Sequence, residues 1–246
     1  RLRVPDYQVF QLATAEPPLS TGFERFLYNE PRHLRSQSDG AWTTFLLENR
    51  PTGIAEARLS LFVRDGEGLS PLRATFGGIE AAPDAPVAAL NLLLESVEAW
   101  ARTRALAGIR LGQWPAAYAP GLAARLDAVL RSRGFQRLFT DQNQHLVLGA
   151  EPLDGRLHES ALRRLRKARQ AGLVFQKVEN PDWASAHAFI QAARTRKNLP
   201  LSMTAVELRR LGETFPDDVT VFTVCAGSEL AALGVTIRLN ARVLYH

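Results

Sequence analysis

The apolar residues near the start of the chain are spaced as in β-strands. Strands are predicted at Val4–Ala13, Trp42–Leu47 and Ile54–Val63, with a shorter one that ends near Phe76. In Ile54–Val63 the apolar residues alternate with Arg58 and Ser60, which predicts a half-buried strand whose polar side chains face solvent. The spacing of the apolar residues in Thr21–Asn29 predicts a short helix between the first two strands.

Helical spacing replaces strand spacing after Pro86. A continuous apolar stripe predicts one long helix, and its residues are Val87, Leu90, Leu94, Val97 and Ala101. A short buried strand is predicted at Ile109–Leu111, followed by a helix at Gly121–Arg133 that Gly134 ends in a left-handed conformation. The segments Phe135–Phe139 and His145–Leu148 predict a closing pair of strands.

The remainder of the chain has a similar mixture of elements. Glu151–Gly155 has the composition of a linker, so we expect two domains, at 1–150 and 151–246. A helix at about 156–172 opens the second domain. After it we expect a strand at Leu173–Val178, helices from Asp182 to about Lys197 and from Ser202 to before Pro216, a hairpin of Val219–Cys225 and Leu230–Leu239, and a last strand after Arg242. The predicted fold class is α/β of the α+β kind, with mainly antiparallel mixed sheets flanked by helices.

The positive charge of the protein is concentrated in the helix predicted at 156–172. The 246 residues include 30 Lys and Arg against 25 Asp and Glu, which gives a net charge of +5. Six basic residues and one acidic residue lie in this segment, so it accounts for the whole excess. Candidate phosphate ligands are Arg163, Arg164, Arg166 and Lys167 here, with Arg194 and Lys197 at the end of the next helix. Guanidinium groups suit phosphate because they donate two parallel hydrogen bonds, although a solvated helix face would have the same composition.

The composition excludes several classes of protein. A hydrophobic fraction of 46% and a charged fraction of 22% are those of a folded chain rather than a disordered one. The single cysteine, Cys225, excludes a disulfide framework and suits a reducing compartment. The five histidines lack metal-binding spacing, so no metal is expected. No apolar run reaches the roughly 18–20 residues of a transmembrane helix, and residues 1–6 do not resemble a signal peptide, so we expect a cytoplasmic protein.

Several segments, in their order along the chain, resemble the GCN5-related N-acetyltransferase (GNAT) superfamily. They are Ser70–Ile79 before the long helix, Leu126–Leu130 with Arg133-Gly134-Phe135, the basic stretch Leu162–Leu173, and the hairpin Val224–Ala232. More narrowly, the chain is similar to the two-unit bacterial branch that contains the Fem-type peptidoglycan aminoacyltransferases. The resemblance implies two tandem units of this fold. It also implies an incomplete second unit, because by analogy with the first roughly 80 further residues would be expected.

The resemblance implies an N-acetyl- or aminoacyl-transferase. The donor would be acyl-coenzyme A or an aminoacyl-tRNA, and the acceptor an amine on an anionic molecule such as a cell-wall precursor. In the superfamily, a (Gln/Arg)-x-x-Gly-x-(Gly/Ala) loop cradles pyrophosphate with its backbone N–H groups. Here Phe76 stands where Arg73 requires the first glycine, and Gly77 and Gly78 are displaced by one position, so the loop is degenerate. Gly77 and Gly78 are the cofactor-binding candidates, and Tyr118 is the candidate proton donor to a leaving thiolate or else packs as a structural aromatic.

Two alternatives to an enzyme remain open. A degenerate acyltransferase unit would bind an anionic partner such as RNA through the basic helix. Nucleic-acid modules usually combine basic residues with exposed aromatic ones, and residues 156–172 contain no aromatic residue, which counts against this alternative. The second alternative is an inactive scaffold half that awaits a partner.

Overall fold

The computed structural model of the chain describes residues 6–14, 19–37 and 40–246. The start of the first predicted strand, Val4 and Pro5, lies outside these ranges. The described residues form six α-helices and eleven strands in two mostly antiparallel sheets, which confirms the predicted mixed fold class. The chain divides into two compact units, residues 1–144 (unit 1) and 145–246 (unit 2).

Unit 1 contains a mixed sheet with helices on both of its faces. Its strands are β1 (Tyr7–Ala13), β2 (Ser20–Thr21), β3 (Trp42–Asn49), β4 (Ile54–Arg64), β5 (Glu67–Ser70), β6 (Glu80–Ala81) and β7 (Gly108–Leu111). Its helices are α1 (Pro31–Gln37), α2 (Val87–Thr103) and α3 (Pro120–Ser132), with short 3-10 helices at Leu27–Asn29 and Ala116–Tyr118. The main strand order is β1-β3-β4-β5-β7, antiparallel except for the parallel pair β5–β7.

The middle of this sheet is buried on both faces, so the prediction of a half-buried strand at Ile54–Val63 is wrong. Arg58 and Ser60 are 1% and 2% exposed. On one face α2 packs against the sheet, where its Trp100 ring lies 5.6 Å from that of Phe45. On the other, Leu34 of α1 packs with residues of β3 and β4. The alternation in β4 therefore separates two buried layers, one apolar and one partly polar, rather than a core and solvent.

Three other predicted elements are wrong, two in unit 1 and one, at residues 145–148, at the start of unit 2. Residues 21–29 do not form an α-helix. Thr21 ends a short strand parallel to β4, and only Leu27–Asn29 forms a 3-10 turn. The apolar spacing there has a different origin, since Phe23 and Phe26 are buried from an irregular segment. No strand forms at 135–139 or 145–148, because neither segment has a neighbouring strand with which to pair among the described residues.

Unit 2 is built on a four-stranded antiparallel sheet with the order β11-β10-β9-β8. Its strands are β8 (Leu173–Val178), β9 (Val219–Ala226), β10 (Glu229–Arg238) and β11 (Leu244–Tyr245). Its helices are α4 (Glu159–Gln170), α5 (Trp183–Thr195) and α6 (Ala205–Thr214), with a 3-10 turn at Leu153–Arg156. The three helices and four strands agree with the predicted ones, whereas the 3-10 turn lies in part of the segment that was predicted as a linker, Glu151–Gly155. Asp182 caps α5 through Ala184 N–H and Ser185 N–H, and Thr204 with Glu207 forms a capping box on α6.

Candidate functional site

The four predicted phosphate ligands of α4 lie together on the surface of unit 2. We call Arg163, Arg164, Arg166 and Lys167 the basic face of α4, and all four side chains are exposed. The helix begins after His158, whose Nδ1 accepts a hydrogen bond of 3.2 Å from Ser160 N–H. Opposite the basic face, Ala161 and Leu165 are half-buried. Because residues three and four apart share one side of a helix, Arg163, Arg166 and Lys167 project in nearly the same direction.

The charges of the basic face are not neutralised within the protein. In the part of the chain that the structure describes, none of these four side chains takes part in an ion pair or a hydrogen bond. Glu159, in the first turn, is the single acidic residue of α4. Elsewhere arginines such as Arg133 are paired, with Nη2 2.6 Å from Glu98 Oε2. The basic face is therefore a surface on which four cationic side chains are available to bind an external anion.

The two cations predicted to extend this site lie at the end of α5. Arg194 Nε donates a hydrogen bond of 2.7 Å to the carbonyl of Pro200. This contact closes the turn in which Asn198 has a left-handed φ of 55°. Lys197 is exposed on the same turn. The structure thus gives Arg194 a role in holding the turn that follows α5.

The predicted cofactor loop at Gly77 and Gly78 uses its backbone donors within the protein. Gly77 N–H bonds to the carbonyl of Gly112 at 2.8 Å. Gly78 N–H bonds to Ser70 Oγ at 3.0 Å, and Ile79 N–H bonds to Gln113 Oε1 at 2.7 Å. Three successive N–H groups are therefore already satisfied, and in this conformation they are not free to cradle a phosphate.

Close packing explains the presence of the two glycines as well as a cofactor-binding role would. A Cβ on Gly77 would lie 2.7 Å from Ser70 Oγ, and one on Gly78 would lie 1.6 Å from Gln113 Oε1. Gly78 also has a left-handed φ of 76°. The sequence did not indicate a role for Gln113, whose side chain packs against Gly78 and accepts the N–H of Ile79. Its partner lies 34 residues away, and nothing local to Gln113 indicates the contact.

Tyr118 belongs to an aromatic cluster in unit 1. Its ring centroid lies 5.8 Å from that of Phe26 and 6.0 Å from that of Phe76. Phe26 also lies 5.9 Å from Trp114, whose Nε1 donates to the carbonyl of Ile79 at 2.8 Å. Tyr118 is half-buried while Trp114 is buried. Tyr118 therefore packs as a structural aromatic residue, and part of its side chain is accessible to solvent.

A buried group of charges, missed by the sequence analysis, lies beneath the same aromatic cluster. Arg58 Nε donates to Glu80 Oε2 at 2.7 Å, and Arg58 Nη2 lies 3.2 Å from Glu30 Oε1. Glu80 Oε1 also accepts Phe26 N–H at 2.6 Å. Burial raises the pKa of the Glu80 carboxyl, while Arg58 and the N–H of Phe26 act in the opposite direction. The side chains of Arg58 and Glu80 are 1% and 0% exposed, so this pair holds the unit together and does not face a substrate.

A polar network around α1 fixes the loop between β5 and the double glycine. Gln37 Oε1 accepts the N–H groups of Leu72 and Arg73, at 3.0 and 2.9 Å. Gln37 Nε2 contacts the Tyr28 carbonyl and His33 Nδ1, each at 3.1 Å. Burial lowers the pKa of His33 to about 4, against the opposing effect of the Tyr28 carbonyl. The imidazole is therefore neutral at pH 7, and the network acts as a structural support.

The described residues contain no group suited to hold a metal ion, and they contain one free cysteine. Across these residues no group of three or more His, Cys, Asp or Glu side chains is placed to hold a metal ion. Cys225 is a free, half-buried thiol in β9. Within 6–14, 19–37 and 40–246, no helix has the length and apolar character required to cross a bilayer.

No family model and no curated protein matches the chain.

Proposed function

We propose that the chain is an acyltransferase that moves an N-acetyl or aminoacyl group to an amine of an anionic, phosphorylated acceptor. The observation that supports it best is the basic face of α4, which presents four cations without partners in the described part of the protein. Guanidinium and ammonium groups that are not already paired bind phosphate without first breaking an ion pair. The resemblance to the GNAT superfamily and its Fem-type branch supplies the transfer chemistry.

The proposed reaction needs no covalent enzyme intermediate. The amine nitrogen attacks the acyl carbonyl carbon, and the carbon–sulfur bond of acyl-coenzyme A, or the ester bond of an aminoacyl-tRNA, breaks. The amine loses one proton and the leaving thiolate or alkoxide gains one. Binding of the acceptor phosphate to the basic face would hold the acceptor on the enzyme.

The basic face suggests the kind of acceptor, and the cysteine content suggests the location. A nucleotide-linked cell-wall precursor combines an amine with phosphate groups and suits the basic face, and a tRNA donor would be a second polyanion. We propose a cytoplasmic location, because the single cysteine of the chain fits a reducing compartment.

A second candidate function is a non-catalytic module that binds RNA through the basic face. It is favoured by the double glycine, where the N–H groups of Gly77, Gly78 and Ile79 are all bonded within the protein. A coenzyme A pyrophosphate would find no free donor there. Such a module would retain the fold and the basic face without transferring an acyl group.

A coupled assay tests the proposed enzyme. We expect the chain to release free thiol from acetyl-coenzyme A, or to consume aminoacyl-tRNA, when an amine-bearing sugar nucleotide is supplied. Arg163→Glu with Lys167→Glu should raise the KM for this acceptor about thirtyfold with little change in kcat, since two phosphate contacts at about 1 kcal/mol each are lost. Arg209→Glu with Arg210→Glu is the control, because it changes the net charge equally on the exposed face of α6.

The outcomes separate the two candidates. Transfer that depends on Arg163 and Lys167 but not on Arg209 and Arg210 supports the enzyme. Absence of transfer with both donors, together with RNA binding that weakens steeply with salt, would favour the non-catalytic module. An acceptor KM that the α4 variant leaves unchanged would remove the basic face from the mechanism.

A further inference from the structure

Unit 2 exposes an uninterrupted apolar run close to the start of α4. Leu146, Val147 and Leu148 are 59%, 69% and 73% exposed. Isolated exposed apolar side chains are normal on protein surfaces. Three large ones in succession usually indicate an interaction surface, since they carry a cost in solubility that function must justify.

A hydrogen bond connects this run to the approach of the basic helix. Arg156 Nη2 donates to the carbonyl of Val147. Arg156 lies three residues before Glu159, the first residue of α4. From chain geometry, the backbones of Arg156 and Lys167 are at most about 23 Å apart. The apolar run and the basic face therefore belong to one region of unit 2.

We propose that Leu146–Leu148 and the basic face of α4 dock unit 2 onto the surface of a bilayer that contains anionic phospholipids. The three aliphatic side chains would enter the boundary between headgroups and acyl chains, and the cations would contact the headgroup phosphates. The two contributions are complementary. Burial of apolar surface gives affinity for any bilayer, and each cation near an anionic surface increases binding about fivefold.

The chemistry of the surface favours a bilayer over a nucleic acid. Residues 146–172 contain no Phe, Tyr or Trp on which bases could stack. RNA also offers no apolar phase for the aliphatic run. A bilayer accommodates exposed Leu and Val side chains without a shaped pocket, and its anionic headgroups match the uncompensated charge of the basic face.

The inference goes beyond the proposed function and does not rest on it, although both use the cations of α4. It does not require that the chain transfers acyl groups. A phosphorylated acceptor carried by a lipid would reconcile both uses, whereas a soluble acceptor would compete with the bilayer for the same cations.

Co-sedimentation of the intact chain with vesicles tests the proposal. The vesicles contain either phosphatidylcholine alone or phosphatidylcholine mixed with phosphatidylglycerol. We expect at least tenfold tighter binding to the anionic vesicles and a marked loss of binding at high salt. Arg163→Glu with Lys167→Glu should remove most of this preference. Leu146→Ser with Val147→Ser and Leu148→Ser should weaken binding to both kinds of vesicle about tenfold.

Matched controls lie on α6 of the same unit. Arg209→Glu with Arg210→Glu changes the charge equally, and Val206, which is 56% exposed, can be changed to Ser. Both control variants should bind vesicles as the unmodified chain does. Circular dichroism of every variant verifies that helix content is unchanged.

Several results would overturn the membrane inference. These are equal binding to both vesicle types, no binding to either, or control variants whose vesicle binding falls as much as that of the test variants. Binding to RNA that the triple Ser variant leaves unchanged, without vesicle binding, would assign the basic face to a nucleic acid. Failure of the acyl-transfer assay with a soluble acceptor, measured without vesicles, would overturn the proposed function alone.

Discussion

Arg58 lies in the interior of unit 1 because three other segments supply its environment. Glu80 faces it across the antiparallel pair of β4 and β6, Glu30 approaches from the start of α1, and the ring of Phe23 lies 5.7 Å below its guanidinium. Each contact joins residues more than 20 positions apart, so the sequence pattern alone places Arg58 outside. The local alternation is real, but it does not reveal that a second layer covers the polar side of the strand.

Removing the charge of Glu80 should destabilise unit 1. Glu80→Gln leaves the buried Arg58 with Glu30 as its remaining carboxylate partner, and breaking one side of a buried pair costs about 3 kcal/mol. Urea unfolding followed by tryptophan emission measures this loss, since Trp42, Trp100 and Trp114 are all buried in unit 1. A loss of less than about 1 kcal/mol would contradict the assignment of this pair as a structural element.

The double variant Arg58→Met with Glu80→Gln is the control for that measurement. The amide oxygen at position 80 can still accept Phe26 N–H, and no unpaired charge remains in the interior. We expect it to recover at least half of the stability lost by Glu80→Gln alone. If the double variant is less stable than the single one, packing around the guanidinium matters more than its charge.

At the level of elements, the sequence predicts correctly the helices whose ends and apolar faces are determined by nearby residues. Helix α5 begins at the cap supplied by Asp182, α3 ends before Gly134 with its left-handed φ of 84°, and α4 follows the spacing of its leucines and alanines. The apolar segments 135–139 and 145–148 predict strands, and this prediction is wrong because a strand is stabilised by its neighbour rather than by its own sequence. The basic face was predictable for the same local reason, since its residues lie within one helix.

The loop that carries Gly78 offers a test of whether close packing or backbone conformation requires glycine. Gly66, in the turn between β4 and β5, has nearly the same φ, 77° against 76°, but no atom lies within 4 Å of a Cβ added there. Gly66→Ala should therefore cost only the left-handed conformation, about 1 kcal/mol. Gly78→Ala should cost about 2 kcal/mol more, because the new Cβ displaces Gln113 from Ile79.

Denaturation of the two alanine variants measures this difference directly. Equal losses of unfolding free energy in Gly66→Ala and Gly78→Ala would mean that Gln113 moves aside without cost. The loop would then be adaptable enough to release its N–H groups to a phosphate, which would revive Gly77 and Gly78 as cofactor ligands.

At the scale of the whole molecule, the two units differ in the size of their cores. Of the described residues, 29 buried apolar ones lie in unit 1 and 8 in unit 2. Each core depends on contacts between distant segments. The sequence therefore indicated two mixed domains, while the residues that meet in each core, such as Phe45 and Trp100, became apparent only in the structure.

We expect the units to unfold in two stages, with unit 2 first, because burial of apolar surface supplies most of the stability of a domain. Two signals separate the stages. Helices α4–α6 contain about as many residues as α1–α3, so far-UV circular dichroism should lose about half of its helical signal in the first transition. Tryptophan emission should change mainly in the second, because three of the four tryptophans are in unit 1. Coincident transitions in both signals would instead mean that the units stabilise each other and unfold as one cooperative body.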